Sequence, residues 1–272
     1  MSIRTTVLTR EARWVFARAS AAMAAGAALL ALLGALRPVP AIAVVLGFAG
    51  MLVGLDRALP AHHSHARFGA ANRVTLLRAG IAGLMLARAL DPGRLVPGER
   101  WLLAGIAALA LGLDGIDGRA ARRQGLASPF GAGFDMETDA FAILVLSLLV
   151  AKTAAVPFWV LAIGAMRYLH LAAGRVCVGL RRPPPPRRRS DRRRQTIAVV
   201  QSLALILALI PATPPAVAAI GCAAALALLV YSFAADIGMA APRRTRNEPA
   251  GNPFASPYDA PSRRQGDAGA RP

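Results

Sequence analysis

Apolar runs of about 18 residues or more recur along this chain, and no other feature limits its fold as strongly. A run of that length crosses a hydrocarbon core roughly 30 Å thick as a helix. With 56% hydrophobic residues, the chain reads as an all-α polytopic membrane protein, not a soluble domain around one buried core. Eight spans are expected, at about 18–36, 40–56, 72–90, 101–117, 135–152, 155–174, 196–212 and 214–235.

Charge gives these spans an expected orientation. The formal charge is +18, and of the 32 Lys and Arg residues 26 fall in the segments on the N-terminal side of the membrane. Five lie on the other side, namely Arg37, Arg88, Arg94, Arg100 and Lys152, and Arg167 lies within a span. The positive-inside rule then expects both termini in the cytoplasm, with the protein in the inner membrane. A cleaved signal peptide at span one is disfavoured, because its apolar run is too long and a second span follows. Two cysteines, Cys177 and Cys222, make no disulfide framework and read as small apolar fillers.

Residues 1–60 form a helical hairpin around "RPVP" and carry no polar constellation. Residues 61–71 are a cytoplasmic linker containing His62, His63 and His65. No acidic residue or Cys stands at ligand spacing from them, so they read as an exposed loop. The segment "RRPPPPRRRSDRRR" at 181–194 reads as a connector whose prolines forbid a continuous helix. Lying between two spans, its charge suits anionic headgroups better than nucleic acid. The Pro-, Gly- and Arg-rich tail from 237 to 272 is expected to be disordered.

The chemistry concentrates in "LDGIDGRAARRQGLASPFGAGFDMETDAF", residues 113–141. Asp114 and Asp117 are three apart at the end of span four, and Asp135 and Asp139 are four apart at the start of span five. Both spacings put a pair on one helical face, and a short loop joins the pairs. Four carboxylates at close range cannot all stay ionised without cations. Oxygen-only ligation suits two Mg²⁺ or Mn²⁺ ions. Glu137 lies two residues from each aspartate of its span and so points elsewhere. In the intervening loop, Gly118 permits close approach to the backbone and Arg122 suits a phosphate oxygen. Ala121 is small, and Ser128 and Gly131 stand just before span five. Metals beside an arginine and a small-residue surface suggest a pyrophosphate ligand.

This spacing, D-x-x-D-G-x-x-A-R-x8-G-x3-D-x3-D without a gap, resembles the signature of the CDP-alcohol phosphatidyltransferases. The resemblance spans about residues 70–236 and implies a six-helix catalytic core at 72–236. It implies transfer of a phosphatidyl group from CDP-diacylglycerol, or a related CDP-linked donor, to an alcohol, releasing CMP. By position, Asp114, Asp117, Asp135 and Asp139 would hold two metals, and Asp139 would also be the base for the acceptor hydroxyl. Gly118, Arg122 and Ser128 would contact the CDP part, with Ala121 and Gly131 making room. A second family feature, N-x-x-T-x-x-R, fits Asn72, Thr75 and Arg78, placing Asn72 near the nucleotide. An N-cap by Asn72 explains the same residue equally well. A homodimer is implied by the resemblance alone.

The acceptor is less legible. Arg167 and Arg175 are candidates for an acceptor phosphate, against headgroup binding or pairing of Arg167 with a carboxylate. His170 reads as a packing residue. Ala140 stands where one branch of the family carries lysine, and the N-terminal hairpin exceeds the minimal six-span form. Glycerol 3-phosphate, inositol or its phosphate, serine and choline all remain open. Three rivals are weighed. An intramembrane prenyltransferase would want an aspartate where Ala121 stands. A divalent-cation transporter would want carboxylates near the midplane and no Arg122. A degenerate member with a structural role would have no need for four intact aspartates.

Overall fold

The computed structural model describes residues 3–62, 67–123, 128–176 and 187–240. Side chains at 3–7, 60–62, 114–123, 129, 170–171, 173–176, 187–192 and 235–240 fall outside that description, although their backbones are helical. His62, His63, His65, His170, Cys177, Arg175, the prolines of 183–186 and the tail from 241 therefore have no described side chain.

Every regular element among the described residues is helical. α1 is Ile3–Leu32, α2 Pro38–His62, α3 Ala70–Leu90 and α4 Pro97–Arg123. α5 is Pro129–Lys152, α6 is Leu161–Val176 after a 3₁₀ turn at Phe158–Val160, α7 is Arg187–Leu209 and α8 is Pro215–Ala240. The protein is an all-α membrane protein. Leu8–Leu32, Pro38–Leu59 and Pro215–Ala234 are long and apolar enough to cross a bilayer by length and composition. α3 and α5 interrupt their apolar lengths with charge, Arg73, Arg78 and Arg88 in the one and Asp135, Glu137 and Asp139 in the other.

Several expected boundaries move. α1 starts well before residue 18, because its charged first turns are held down. Arg13 pairs with Asp56 of α2 at 3.1 Å, and Glu11 accepts from Arg73 of α3 at 2.6 Å. It stops at Leu32 because Gly34 adopts φ 71°, a left-handed cap open to glycine. The basic run 187–194 is the opening of α7, not connector. Proline stops a helix only on its own N-terminal side, and arginine is a good helix former once Pro186 is passed.

α5 is central: it packs on α3, α6 and α7, while α3 also packs on α2 and α4. One core unites α3, α4, α5, α7 and α8 around Leu149, Val150, Leu205 and Cys222, all fully buried. A second joins the hairpin to α3 and α5 around Phe16, Leu59 and Phe68. The Phe68 ring meets Phe16 edge-on at 5.4 Å and Phe130 at 6.4 Å, so the hairpin is seated on the start of α5.

One end of the bundle is closed by charge. Arg88 pairs with Glu99 at 2.9 Å, joining α3 to α4. Lys152, ending α5, donates to the carbonyls of Arg88 and Ala89 at 3.2 Å each, and to that of Asp91, capping α3. The candidate site lies at the opposite end.

Candidate active site

Asn72, Thr75 and Arg78 recur every three residues, which gathers them on one face of α3. All three are buried. The N-cap of α3 is Gly69, at φ 83°, and not Asn72. Glycine takes that backbone without strain, and Asn72 stands three positions past the cap, as the third residue of the first turn. There its amide donates to the carbonyl of Phe68 at 2.5 Å. Thr75 bonds back to the carbonyl of Ala71 at 3.1 Å, a bond within its own helix.

α5 begins as Ser-Pro sequences often do. Ser128 is the N-cap and its hydroxyl accepts from the Gly131 N–H at 3.1 Å, while Pro129 fills the first helical position. Gly131 is therefore inside the first turn of α5. It faces α3 closely: a Cβ built on Gly131 would stand 2.8 Å from Asn72 Oδ1 and 3.3 Å from Ser128 Oγ. The structure thus brings together Asn72, Ser128 and Gly131, three of the residues expected at the nucleotide.

Asp135 and Asp139 lie one and two turns further along α5, on its α3 side. A single guanidinium spans them. Arg78 donates to Asp135 Oδ1 at 3.1 Å and to Asp139 Oδ1 at 2.5 Å. Arg78 has an 8% exposed side chain, whereas those of Asp135 and Asp139 are 45% and 30% exposed. The cation is thus interior to its partners, and the carboxylates open outward. Glu137 sits on another face, where it pairs with Arg167 of α6. Of the alternatives for Arg167, pairing with a carboxylate is what the structure contains. Arg167 Nε is buried and has no hydrogen-bond partner among the described residues.

Asp114, Asp117, Gly118, Ala121 and Arg122 belong to α4, which runs on to Arg123. "GRAAR" is therefore helix, not loop. One glycine costs a helix only about 1 kcal/mol, and the alanines and arginines around it are good helix formers. The side chains of these five residues lie outside the described residues. Among the described residues no three ligand-type side chains converge.

Two hollows flank the α3–α5 pair. A small chamber of about 50 Å³ lies beside Arg78 and Asp139 on the α4 and α7 side, with Gln195 and Ser202 as its other polar walls. A larger apolar groove, about 750 Å³, lies on the α2 side. Its walls include Phe48 and Met51 of the hairpin, Leu86 of α3 and Phe134 of α5, and Glu137 and Tyr168 border it.

The model of the CDP-alcohol phosphatidyltransferase family matches residues 68–231, more than half of the chain, and contains α3 to α7 in full. The chain belongs to the CDP-alcohol phosphatidyltransferase family. Membership makes it a member of a transferase family that moves a phosphate-linked group from a CDP-alcohol to an acceptor, generally with a divalent metal. No curated protein and no solved structure matches the chain. The match starts at Phe68, so the α1–α2 hairpin lies outside the family region.

The sequence names Arg78 as the last residue of the N-x-x-T-x-x-R feature but gives it no role in the site. Its signal was present: a lone arginine well inside the apolar part of α3, in register with Asn72 and Thr75.

Proposed function

We propose that this protein transfers a phosphatidyl group from CDP-diacylglycerol, or a related CDP-linked donor, to an alcohol. The observation that carries the reading is the family signature set on this geometry. Asp135 and Asp139 share one face of α5, next to Asn72, Ser128 and Gly131.

The donor set suits a hard divalent cation. Two carboxylates already share one cation, the Arg78 guanidinium, and the donors are all oxygen. Asp135 and Asp139, with Asp114 and Asp117 of α4, would hold two Mg²⁺ or Mn²⁺ ions. Bound there, the ions would offset the charge of the donor pyrophosphate and of departing CMP.

The chain's own groups would do the rest. Asn72, Gly118, Ala121, Arg122, Ser128 and Gly131 would bind or make room for the CDP part, with Arg122 on a phosphate oxygen. Asp139 would take the proton of the acceptor hydroxyl. The acceptor oxygen bonds to the phosphorus that carries diacylglycerol, the bond from that phosphorus to the CMP oxygen breaks, and CMP leaves. The groove between α2, α3 and α5 is apolar and, at about 750 Å³, roomy enough to take an acyl chain while the headgroup stays at the site end. Arg167, with its unpaired Nε, and Arg175 would contact a phosphate on the acceptor. The site and both termini would face the cytoplasm of the inner membrane, and two copies would associate. Residues 1–60 would be an accessory hairpin, 61–71 a linker, 72–236 the core and 237–272 a tail.

The test is an acceptor screen. Purified protein receives CDP-diacylglycerol, Mn²⁺ or Mg²⁺, and in turn glycerol 3-phosphate, inositol, inositol phosphate, serine and choline. CMP release with one acceptor establishes the activity and its branch. Absence of CMP with every acceptor defeats CDP-diacylglycerol as the donor, and absence with other CDP-linked donors as well defeats the reading.

A further inference from the structure

We infer that Arg78 is the built-in counter-cation of the aspartate site, and that it sets how tightly the site takes a divalent metal. The inference rests on the proposed metal role of Asp135 and Asp139, and adds a residue to which that proposal gives no part.

The geometry is specific. Arg78 is the most buried of the three described residues, and its fork grips Oδ1 of Asp135 with one nitrogen and Oδ1 of Asp139 with the other. These two residues are 57 and 61 positions away in sequence, so the clasp forms only when α3 and α5 dock. A planar fork can hold two carboxylates one helical turn apart, which a lysine ammonium, a single point, cannot do as well. Burying the guanidinium is costly unless it stays paired, so the clasp should persist in the folded protein.

Two consequences follow from Coulomb's law. Without metal, the guanidinium offsets part of the repulsion among the carboxylates and holds Asp135 and Asp139 in fixed rotamers. With metal, the same positive charge sits behind the carboxylates and repels the incoming ion. Metal affinity is then held below what the carboxylates alone would give. An anionic pyrophosphate, arriving with the metal, offsets that repulsion, so metal and donor should bind with positive coupling.

The experiment measures Mn²⁺ affinity of the full-length protein in detergent, by the paramagnetic signal of free Mn²⁺, with no substrate present. Wild type, Arg78→Gln and Arg78→Lys are compared, and each is also melted with and without Mn²⁺. Arg78→Gln should bind Mn²⁺ about tenfold more tightly. Its metal-free melting temperature should fall, and Mn²⁺ should close the gap to wild type. Arg78→Lys should keep near wild-type Mn²⁺ affinity, because the charge remains, yet melt lower without metal, because the fork is lost. A purely structural arginine predicts the opposite for Gln: a lower melting temperature at every Mn²⁺ concentration and equal or weaker binding. That result overturns the inference. If Arg78→Gln does not fold, the lysine variant decides, since weaker Mn²⁺ binding by it also overturns the role. Failure of wild type to bind Mn²⁺ at all would sink the proposed metal site, and this inference with it. Binding that ignores position 78 sinks this inference alone.

Discussion

Asn72 and Gly131 meet where α3 crosses the start of α5: a Cβ on Gly131 would stand 2.8 Å from Asn72 Oδ1. Asn72 cannot simply swing aside, because its amide is buried and bonded to the Phe68 carbonyl at 2.5 Å. Gly131→Ala should therefore break that bond or part the helices, at a cost of about 1–2 kcal/mol. Thermal unfolding in detergent measures it. Asn72→Ala removes the obstructing oxygen, so Gly131→Ala should cost much less in that background. Strictly additive effects of the two substitutions would show that they do not touch.

Gly164 does the same work between α5 and α6. A Cβ there would lie 2.5 Å from Leu144 Cα and 2.6 Å from Ser147 Oγ. The nearest atom is backbone, which cannot rotate away. Gly164→Ala should force the helices apart and cost about 1–3 kcal/mol, more than Gly131→Ala. α6 carries Arg167, so the Glu137–Arg167 pair should loosen as well. A melting temperature equal to wild type would mean that α6 is not packed as described.

How much of this was readable beforehand depended on whether a feature is local. The placing of Asp135 and Asp139 on one face followed from their spacing of four on a single helix. The start of α5 was also local, since Ser128 followed by Pro129 is a helix-start signal. The expected span five begins at its first charge, Asp135, and so leaves Gly131 outside the helix that contains it. The clasp of Arg78 was not local, because it joins residues 57 and 61 apart through the docking of two helices. The Glu137–Arg167 pair likewise spans 30 positions. Spacing alone could turn Glu137 away from the aspartates, yet could not say what it would meet. The expected loop at "GRAAR" comes from ending span four at residue 117, its last carboxylate, whereas the alanines and arginines that follow are good helix formers and α4 runs on to Arg123.

The charged closure opposite the site should make stability depend on acid. Asp91 is held below the usual carboxylate range, first by the N–H of Gly93 at 3.0 Å and also by that of Arg37. Glu99 is lowered chiefly by its bond to Arg88. Their ordinary values are 3.8 and 4.5. A depressed folded pKa contributes stability above the ordinary value and loses it as pH falls through the folded one. The melting temperature should hold steady down to about pH 5 and decline below it. Asp91→Asn with Glu99→Gln should lower it near neutrality and flatten the acid decline. An acid slope unchanged by the double substitution would place its origin elsewhere.

Asp139 and Glu137 are two residues apart on α5 and offer the sharpest contrast in the site. Asp139 shares Arg78 with Asp135, while Glu137 turns to Arg167 on α6. If Asp139 takes the acceptor proton, Asp139→Asn keeps size and shape but removes the base. Its kcat should drop by about 10²–10⁴ or more, because it also loses a metal ligand. Insertion into the membrane and binding to α3 should survive, since an amide oxygen can still accept from Arg78. Glu137→Gln frees Arg167 from its partner without touching the clasp. It should leave kcat within several-fold and shift KM for the acceptor, if Arg167 contacts an acceptor phosphate. CMP release by the two purified variants, at saturating and limiting acceptor, separates these outcomes. Normal turnover by Asp139→Asn would refute its role as base, and an unchanged acceptor KM in Glu137→Gln would remove Arg167 from the acceptor site.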